Sequence, residues 1–150
     1  MELFNSLKSR LETYDKPFKH WAINQPLTEL AKHLQQNSIY YPQDVAFGPS
    51  GNLYIIERFR LRAYGSDGTL LWRLGKNATS GNGSNGSGDG EFYCSSYGGV
   101  AVSGNEEVYV ADAYNYRVQV ISKEGVFLRE FGSKGEAPGQ FKSYPRDIAI

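Results

Sequence analysis

Gly98-Gly99-Val100-Ala101-Val102, Glu107-Val108-Tyr109-Val110-Ala111-Asp112, Arg117-Val118-Gln119-Val120-Ile121 and Val126-Phe127-Leu128-Arg129-Glu130-Phe131-Gly132 follow one another between Phe92 and Gly132. Each run has strand length and is rich in Val, Ile, Tyr and Phe. Ser103-Gly104-Asn105, Tyr114-Asn115-Tyr116 and Lys123-Glu124-Gly125 separate them. Apolar runs of this length, bounded by such turn residues, read as β-strands joined by hairpins. Four in succession with short turns predict one antiparallel sheet of strands a, b, c and d.

A similar unit precedes it. Asp44-Val45-Ala46-Phe47 matches strand a, Asn52-Leu53-Tyr54-Ile55-Ile56-Glu57 matches b, Arg60-Leu61-Arg62-Ala63-Tyr64 matches c, and Thr69-Leu70-Leu71-Trp72-Arg73-Leu74-Gly75 matches d. A third unit opens at Tyr144-Pro145-Arg146-Asp147-Ile148-Ala149-Ile150, echoing Tyr41-Pro42-Gln43-Asp44-Val45-Ala46-Phe47. Self-similarity at a period of about 50 residues marks a propeller or solenoid array, and four strands per unit select the propeller. Strands are expected near 43–47, 52–57, 60–64, 69–74, 99–102, 107–112, 117–121 and 126–131, with a further strand a from Asp147. The expected class is all-β.

The second unit closely resembles the NHL repeat. The resemblance rests on Gly88-Asp89-Gly90-Glu91-Phe92, Gly99-Val100-Ala101-Val102, Val108-Tyr109-Val110-Ala111-Asp112, Asn115, Arg117-Val118-Gln119-Val120 and Phe131-Gly132. It covers roughly residues 40–150 and implies an NHL-type β-propeller of four-stranded blades. The first unit departs from the pattern: Glu57 replaces the Asp that ends strand b, the b–c turn is two residues shorter, and no Asn precedes Arg60. Tyr97 also stands where Pro42 and Pro145 stand in the flanking units.

A propeller closes with about four to eight blades. Two blades and a first strand therefore lead us to expect the N-terminal piece of a longer protein whose remaining blades complete it. Such a piece is expected to expose Val45, Phe47 and Ile148 on its open faces and to be marginally stable or self-associating. Sixteen basic residues balance sixteen acidic ones, which lacks the basic excess of a dominant nucleic-acid footprint. One cysteine, Cys94, allows neither an internal disulfide nor a Cys-rich zinc site. The first residues carry Lys8 and Arg10 before any apolar run develops, unlike a signal peptide. No run reaches the roughly 18–20 apolar residues of a membrane span. A cytoplasmic location and no membrane partner are expected.

Residues 1–39 read as a short helical extension. Leu3, Phe4, Leu7, Leu11 and Tyr14 fall at helical spacing, as do Leu27, Leu30, Ala31 and Leu34 after Pro26. Between them, residues 17–23 alternate apolar and polar positions. They read either as a strand closing the last blade or as a linker anchored by Trp21. Residues 77–90 form a flexible Gly/Ser-rich connection, and its three Asn-x-Ser/Thr sequons (Asn77, Asn82, Asn85) need no function beyond composition.

In an up-and-down blade the b–c turns and d-to-a connections share one end, and here they are longer and more varied than the turns at the other end. Binding residues gather on such loops, and Tyr and Arg predominate at binding hot spots. The candidate partner-binding residues are Arg58, Phe59, Tyr97, Tyr114, Tyr116, Lys142, Tyr144 and Arg146, with part of the aromatic set serving to pack the turns. Asp112, Asn115 and Arg117 flank one hairpin and are expected to brace it; Glu57 and Arg60 do the same in the first unit. No catalytic, cofactor-binding or metal residues are expected. His20 and His33 precede the repeats, and no phosphate loop or nucleophile motif occurs.

The expected function is a non-catalytic recognition or scaffold module that binds a protein or peptide on the b–c and d–a face. Relatives that this resemblance implies act as the substrate-recognition end of ubiquitin ligases, although the Cys- and His-rich zinc modules of those proteins have no counterpart here. Single-stranded RNA is the alternative ligand on the same face, since aromatic and basic groups suit it. A propeller lyase or hydrolase with its site in further blades is the third reading.

Overall fold

A computed structural model describes residues 39–78 and 83–150 of the chain. The helical and closing-strand readings of residues 2–34 lie outside the described residues. The described chain forms two four-stranded antiparallel sheets, each with its strands in sequence order. Strands β1 (Pro42–Phe47), β2 (Leu53–Glu57), β3 (Leu61–Tyr64) and β4 (Leu70–Leu74) make the first. Strands β5 (Gly99–Val102), β6 (Val108–Asp112), β7 (Arg117–Ile121) and β8 (Phe127–Phe131) make the second. These bounds lie within a residue of those read from the alternation.

The duplication extends to irregularities. The β3–β4 ladder slips between Ala63 and Tyr64, and the β7–β8 ladder slips between Val120 and Ile121. Registers align Leu53 with Val108, Leu61 with Val118, and Trp72 with Arg129. One expected strand is missing. Asp147–Ile150 joins no ladder among the described residues. The corresponding β1 pairs with β2. Residues 147–150 lie instead beside β5, so close that a Cβ on Gly99 would sit 2.8 Å from the Asp147 Cα.

Side chains alternate across a strand, and this sorts the apolar residues into two layers. Tyr54, Ile56, Leu61 and Ala63 face the second sheet and pack with Val100, Val108, Val110 and Ile121, while Phe92 and Cys94 from the connecting segment fill the space between. On the other side of the first sheet Leu53, Ile55 and Tyr64 pack with Ile39, Val45, Phe47 and Leu70. Strand β2 is thus buried on both faces, which is why its run is almost continuously apolar. The outermost β4 keeps a half-buried/exposed alternation. Val45 and Phe47, expected to be exposed, are half-buried because they pack against β2 and β3; Ile148 is half-buried too, whereas Ile150 is exposed.

Polar contacts fix one sheet against the next. Trp72 Nε1 donates to the Lys123 carbonyl at 2.7 Å, and the indole lies over Gly125, where a Cβ would come within 2.8 Å of the ring. That turn also holds Gly125 at φ +83, a region favouring glycine. Near the inner strands, Val100 N donates to Asp44 Oδ2 at 3.0 Å. At the a–b turns, Ser50 N donates to Glu106 Oε1 at 2.6 Å. Among the described residues no helix is long and apolar enough to cross a membrane.

Candidate recognition face

The end of the sheets that carries the b–c turns is built on buried ion pairs. In the second sheet Asp112 closes β6 fully buried, a 3-10 turn spans Ala113–Asn115, and Tyr116 takes a left-handed conformation at φ 55 before β7 begins. Asp112 accepts from Tyr93 N at 2.8 Å, from Asn115 Nδ2 at 2.9 and 3.1 Å, from Arg117 Nε at 2.9 Å and from Gln119 Nε2 at 3.1 Å. Arg117 donates further to Glu130 Oε2 at 2.6 Å and to the carbonyls of Gly88 and Glu91 at 2.8 and 3.0 Å. A buried carboxylate demands such partners. The set ties the hairpin to the d–a connection. Asn115 adds a bond to the Gly86 carbonyl at 2.8 Å.

The first sheet solves the same problem with a longer acid and a shorter turn. Glu57 pairs with Arg60 and, at 2.7 Å, with Arg62, all three nearly solvent-free. Burial pushes the Glu57 carboxyl up, against the opposing pull of Arg62 and then Arg60. Sequence reasoning found the Arg60 pair and missed Arg62, which occupies the register position of Gln119 and points to the same face. Strand d ends against each turn: at Gly75, φ +142, a Cβ would collide with the Phe59 carbonyl oxygen and lie 3.0 Å from Arg60 Cβ.

On this frame the turns and connections bring their aromatics into one row. Phe59 meets Tyr93 at 5.8 Å between ring centroids, Tyr93 stacks on Tyr114 at 4.7 Å, and Tyr114 stacks on Tyr144 at 4.5 Å. Tyr144 then contacts Tyr116 at 4.9 Å and Tyr97 at 6.2 Å. The hydrogen bond with Tyr116 pushes the Tyr144 phenol up. All six rings are half-buried. Cations sit over the ends: Arg58 is 4.9 Å from the Phe59 ring and 5.8 Å from Tyr41, Arg146 is 4.3 Å from Tyr97, and Lys134 is 5.2 Å from Tyr116.

Seven of the eight sequence candidates thus share one row: Arg58, Phe59, Tyr97, Tyr114, Tyr116, Tyr144 and Arg146. Lys142 is separate, pairing with Glu136 at 2.9 Å in an exposed bridge. Lys142 follows Phe141 as Tyr93 follows Phe92, so Tyr93 is the residue at that repeat position that enters the row. Sequence reasoning missed both Tyr93 and Lys134. The repeated Gly-x-Phe segment was the available signal for Tyr93, since it fixes the residue after Phe92 beside the next b–c turn; Tyr114 N donates to the Tyr93 carbonyl at 3.0 Å. Nothing in the pattern marked Lys134.

Beneath the row Cys94 is fully buried, and burial followed by the Asp112 charge pushes its thiol up; a thiol so held is a packing residue rather than a nucleophile. Away from this face, Glu107 receives a two-pronged bond from Arg129 at 2.9 and 2.8 Å and a bond from the Tyr109 hydroxyl at 3.0 Å. The Arg129 guanidinium, then Tyr109, lowers the Glu107 carboxyl to about 2. No group of three or more His, Cys, Asp or Glu that could hold a metal occurs among the described residues.

The family model described as NHL repeat matches residues 98–121, which run through strands β5, β6 and β7. Among curated proteins, "Protein brain tumor" of Drosophila melanogaster is similar, 40% identical over 52 residues. The similar stretch is 35% of this chain and 5% of that protein, so the chain spans only a small part of that relative.

Proposed function

Because the chain carries an NHL repeat and belongs to that repeat family, we propose that its blades form a non-catalytic recognition module that binds a protein or peptide partner on the b–c and d–a face. The observation that carries this reading is the continuous row from Phe59 to Tyr97. Five tyrosines and a phenylalanine from separate connections converge where a rigid sheet end presents them, and tyrosine supplies contact area with little rotamer entropy to lose. The buried Asp112 and Glu57 networks hold the turns that carry the row, so the surface is pre-organised. Pre-organisation of this kind reduces the entropy lost on binding.

The test is selection of a random peptide library against the full chain, followed by rebinding to Tyr114→Ala/Tyr144→Ala. Selected peptides are expected to bind the parent and to lose at least about tenfold in affinity to the double variant. Circular dichroism is recorded on both proteins to confirm folding. Peptides that bind parent and variant equally would place recognition elsewhere and defeat the reading. Capture of single-stranded RNA instead of any peptide would replace it with the nucleic-acid alternative.

A further inference from the structure

The charge around the row defines the ligand more narrowly. Arg58, Lys134 and Arg146 stand at its two ends, and among the described residues none of the three forms an ion pair with a carboxylate. Arg58 Nε is out of solvent without a hydrogen-bond partner, an arrangement that leaves a desolvated donor unused. Elsewhere in the fold the exposed cations Lys142, Lys123 and Arg129 each have an acidic neighbour. Arg73 and Lys76 are likewise exposed without an ion pair among the described residues, so what sets the row apart is that three cations without ion pairs lie over the rings of one surface.

The rings have little free face to offer. Tyr93, Tyr114 and Tyr144 stack on one another at 4.7 and 4.5 Å, and cations lie over Phe59, Tyr97 and Tyr116. Base stacking needs open ring faces, and here the faces are covered by neighbours. What a ligand meets are the ring edges, the phenol hydroxyls and the cationic groups. These suit carboxylates and a peptide backbone, which take hydrogen bonds from hydroxyls and charge-assisted bonds from Arg and Lys.

Resting on the recognition reading above, we infer that the partner segment is an extended acidic peptide whose carboxylates meet Arg58 at one end and Lys134 and Arg146 at the other, its backbone running along the tyrosine edges. The centroid steps of 5.8, 4.7, 4.5 and 6.2 Å limit the row to about 21 Å, a distance that roughly six extended residues span.

The experiment measures binding of fluorescent hexapeptides to the full chain by anisotropy. One is Glu/Asp-rich, one is its Gln/Asn counterpart and one is its Lys-rich counterpart; a uridine heptamer is the fourth probe. The acidic hexapeptide is expected to bind, the other three at least about tenfold more weakly, with affinity falling as salt rises. Lys134→Gln/Arg146→Gln, both at exposed positions, is expected to abolish the preference, and Arg58→Gln to weaken it. Lys123→Gln at the opposite end, which removes one charge, is expected to change nothing. Equal binding of all three peptides, lost in Tyr114→Ala/Tyr144→Ala, would overturn the acidic ligand and leave the recognition reading standing. Binding of the uridine heptamer alone, or of no probe, would overturn both.

Discussion

Replacing Arg117 by alanine removes four donated bonds at once: to Asp112, to Glu130, and to the Gly88 and Glu91 carbonyls. Asp112 is fully buried and Arg117 nearly so. Removing one member of a buried ion pair costs about 3–5 kcal/mol, because the other charge remains out of water. Asp112 keeps Tyr93 N, Asn115 and Gln119 as donors, so the lower end, about 3 kcal/mol, is expected. The Glu130 arm adds little, since that carboxylate is 43% exposed and a bridge so screened is worth about 0–1 kcal/mol. For a chain of this size about 3 kcal/mol corresponds to a melting-temperature fall of roughly 6–12 °C. Thermal and urea denaturation of the full chain followed by circular dichroism, with Glu130→Gln as the comparison, provides the measurement. Arg117→Ala melting within a degree of the parent, or no lower than Glu130→Gln, would refute the assignment of this residue as the brace of the hairpin.

Gly75→Ala forces a side chain against the Phe59 carbonyl at a backbone angle alanine rarely adopts, and a loss on the order of 1–3 kcal/mol is expected; an unchanged urea midpoint would show that strand β4 can retreat from the turn. Glu107, lowered to about 2 in the folded chain by Arg129, contributes stability that is fully present above its unfolded value of about 4.3 and is lost as pH falls toward about 2. Arg129→Gln is expected to flatten that acid limb of the stability profile. Identical profiles between pH 2 and 5 would show that the exposed pair is uncoupled from folding.

Much of the fold was legible because its signal is local. Short, largely apolar runs at Val108–Asp112 and Arg117–Ile121, bounded by Asn, Gly and Ser, mark strands and hairpins without any distant information. The Asp112–Arg117 pair was legible for the same reason, both residues flanking one turn. Glu130, Gln119 and the Gly88 and Glu91 carbonyls were not, since their convergence depends on how the 83–93 connection folds back over the hairpin. The site divides likewise. Residues in the b–c turns could be assigned to a face, but the row depends on distances between segments, such as Tyr93 to Tyr114 and Lys134 to Tyr116. Lys142 illustrates the reverse case. Its position relative to the repeat placed it at the b–c end, yet Glu136 holds its ammonium in an exposed bridge.

The sequence-order pairing of every strand also bears on how the chain reaches this structure. Each ladder joins neighbours across a short turn, so a whole sheet forms with loops of only a few residues to close, and loop closure at that scale is fast. The bonds between sheets are of a different kind: Trp72 to Lys123 spans 51 residues, and Ser50 to Glu106 and Val100 to Asp44 each span 56. Folding speed falls as contacts become more distant along the chain. The order implied is hairpins first, then docking of one completed sheet upon the next, with the Trp72 ring, 5.9 Å from that of Tyr54, closing over Gly125 as the late event. In a Trp21→Phe background the Trp72 indole, exchanging water for the Lys123 carbonyl at that step, makes sheet docking visible to stopped-flow fluorescence separately from the earlier rise of β-sheet circular dichroism; coincident traces from the two signals would mean that the sheets form only when docked.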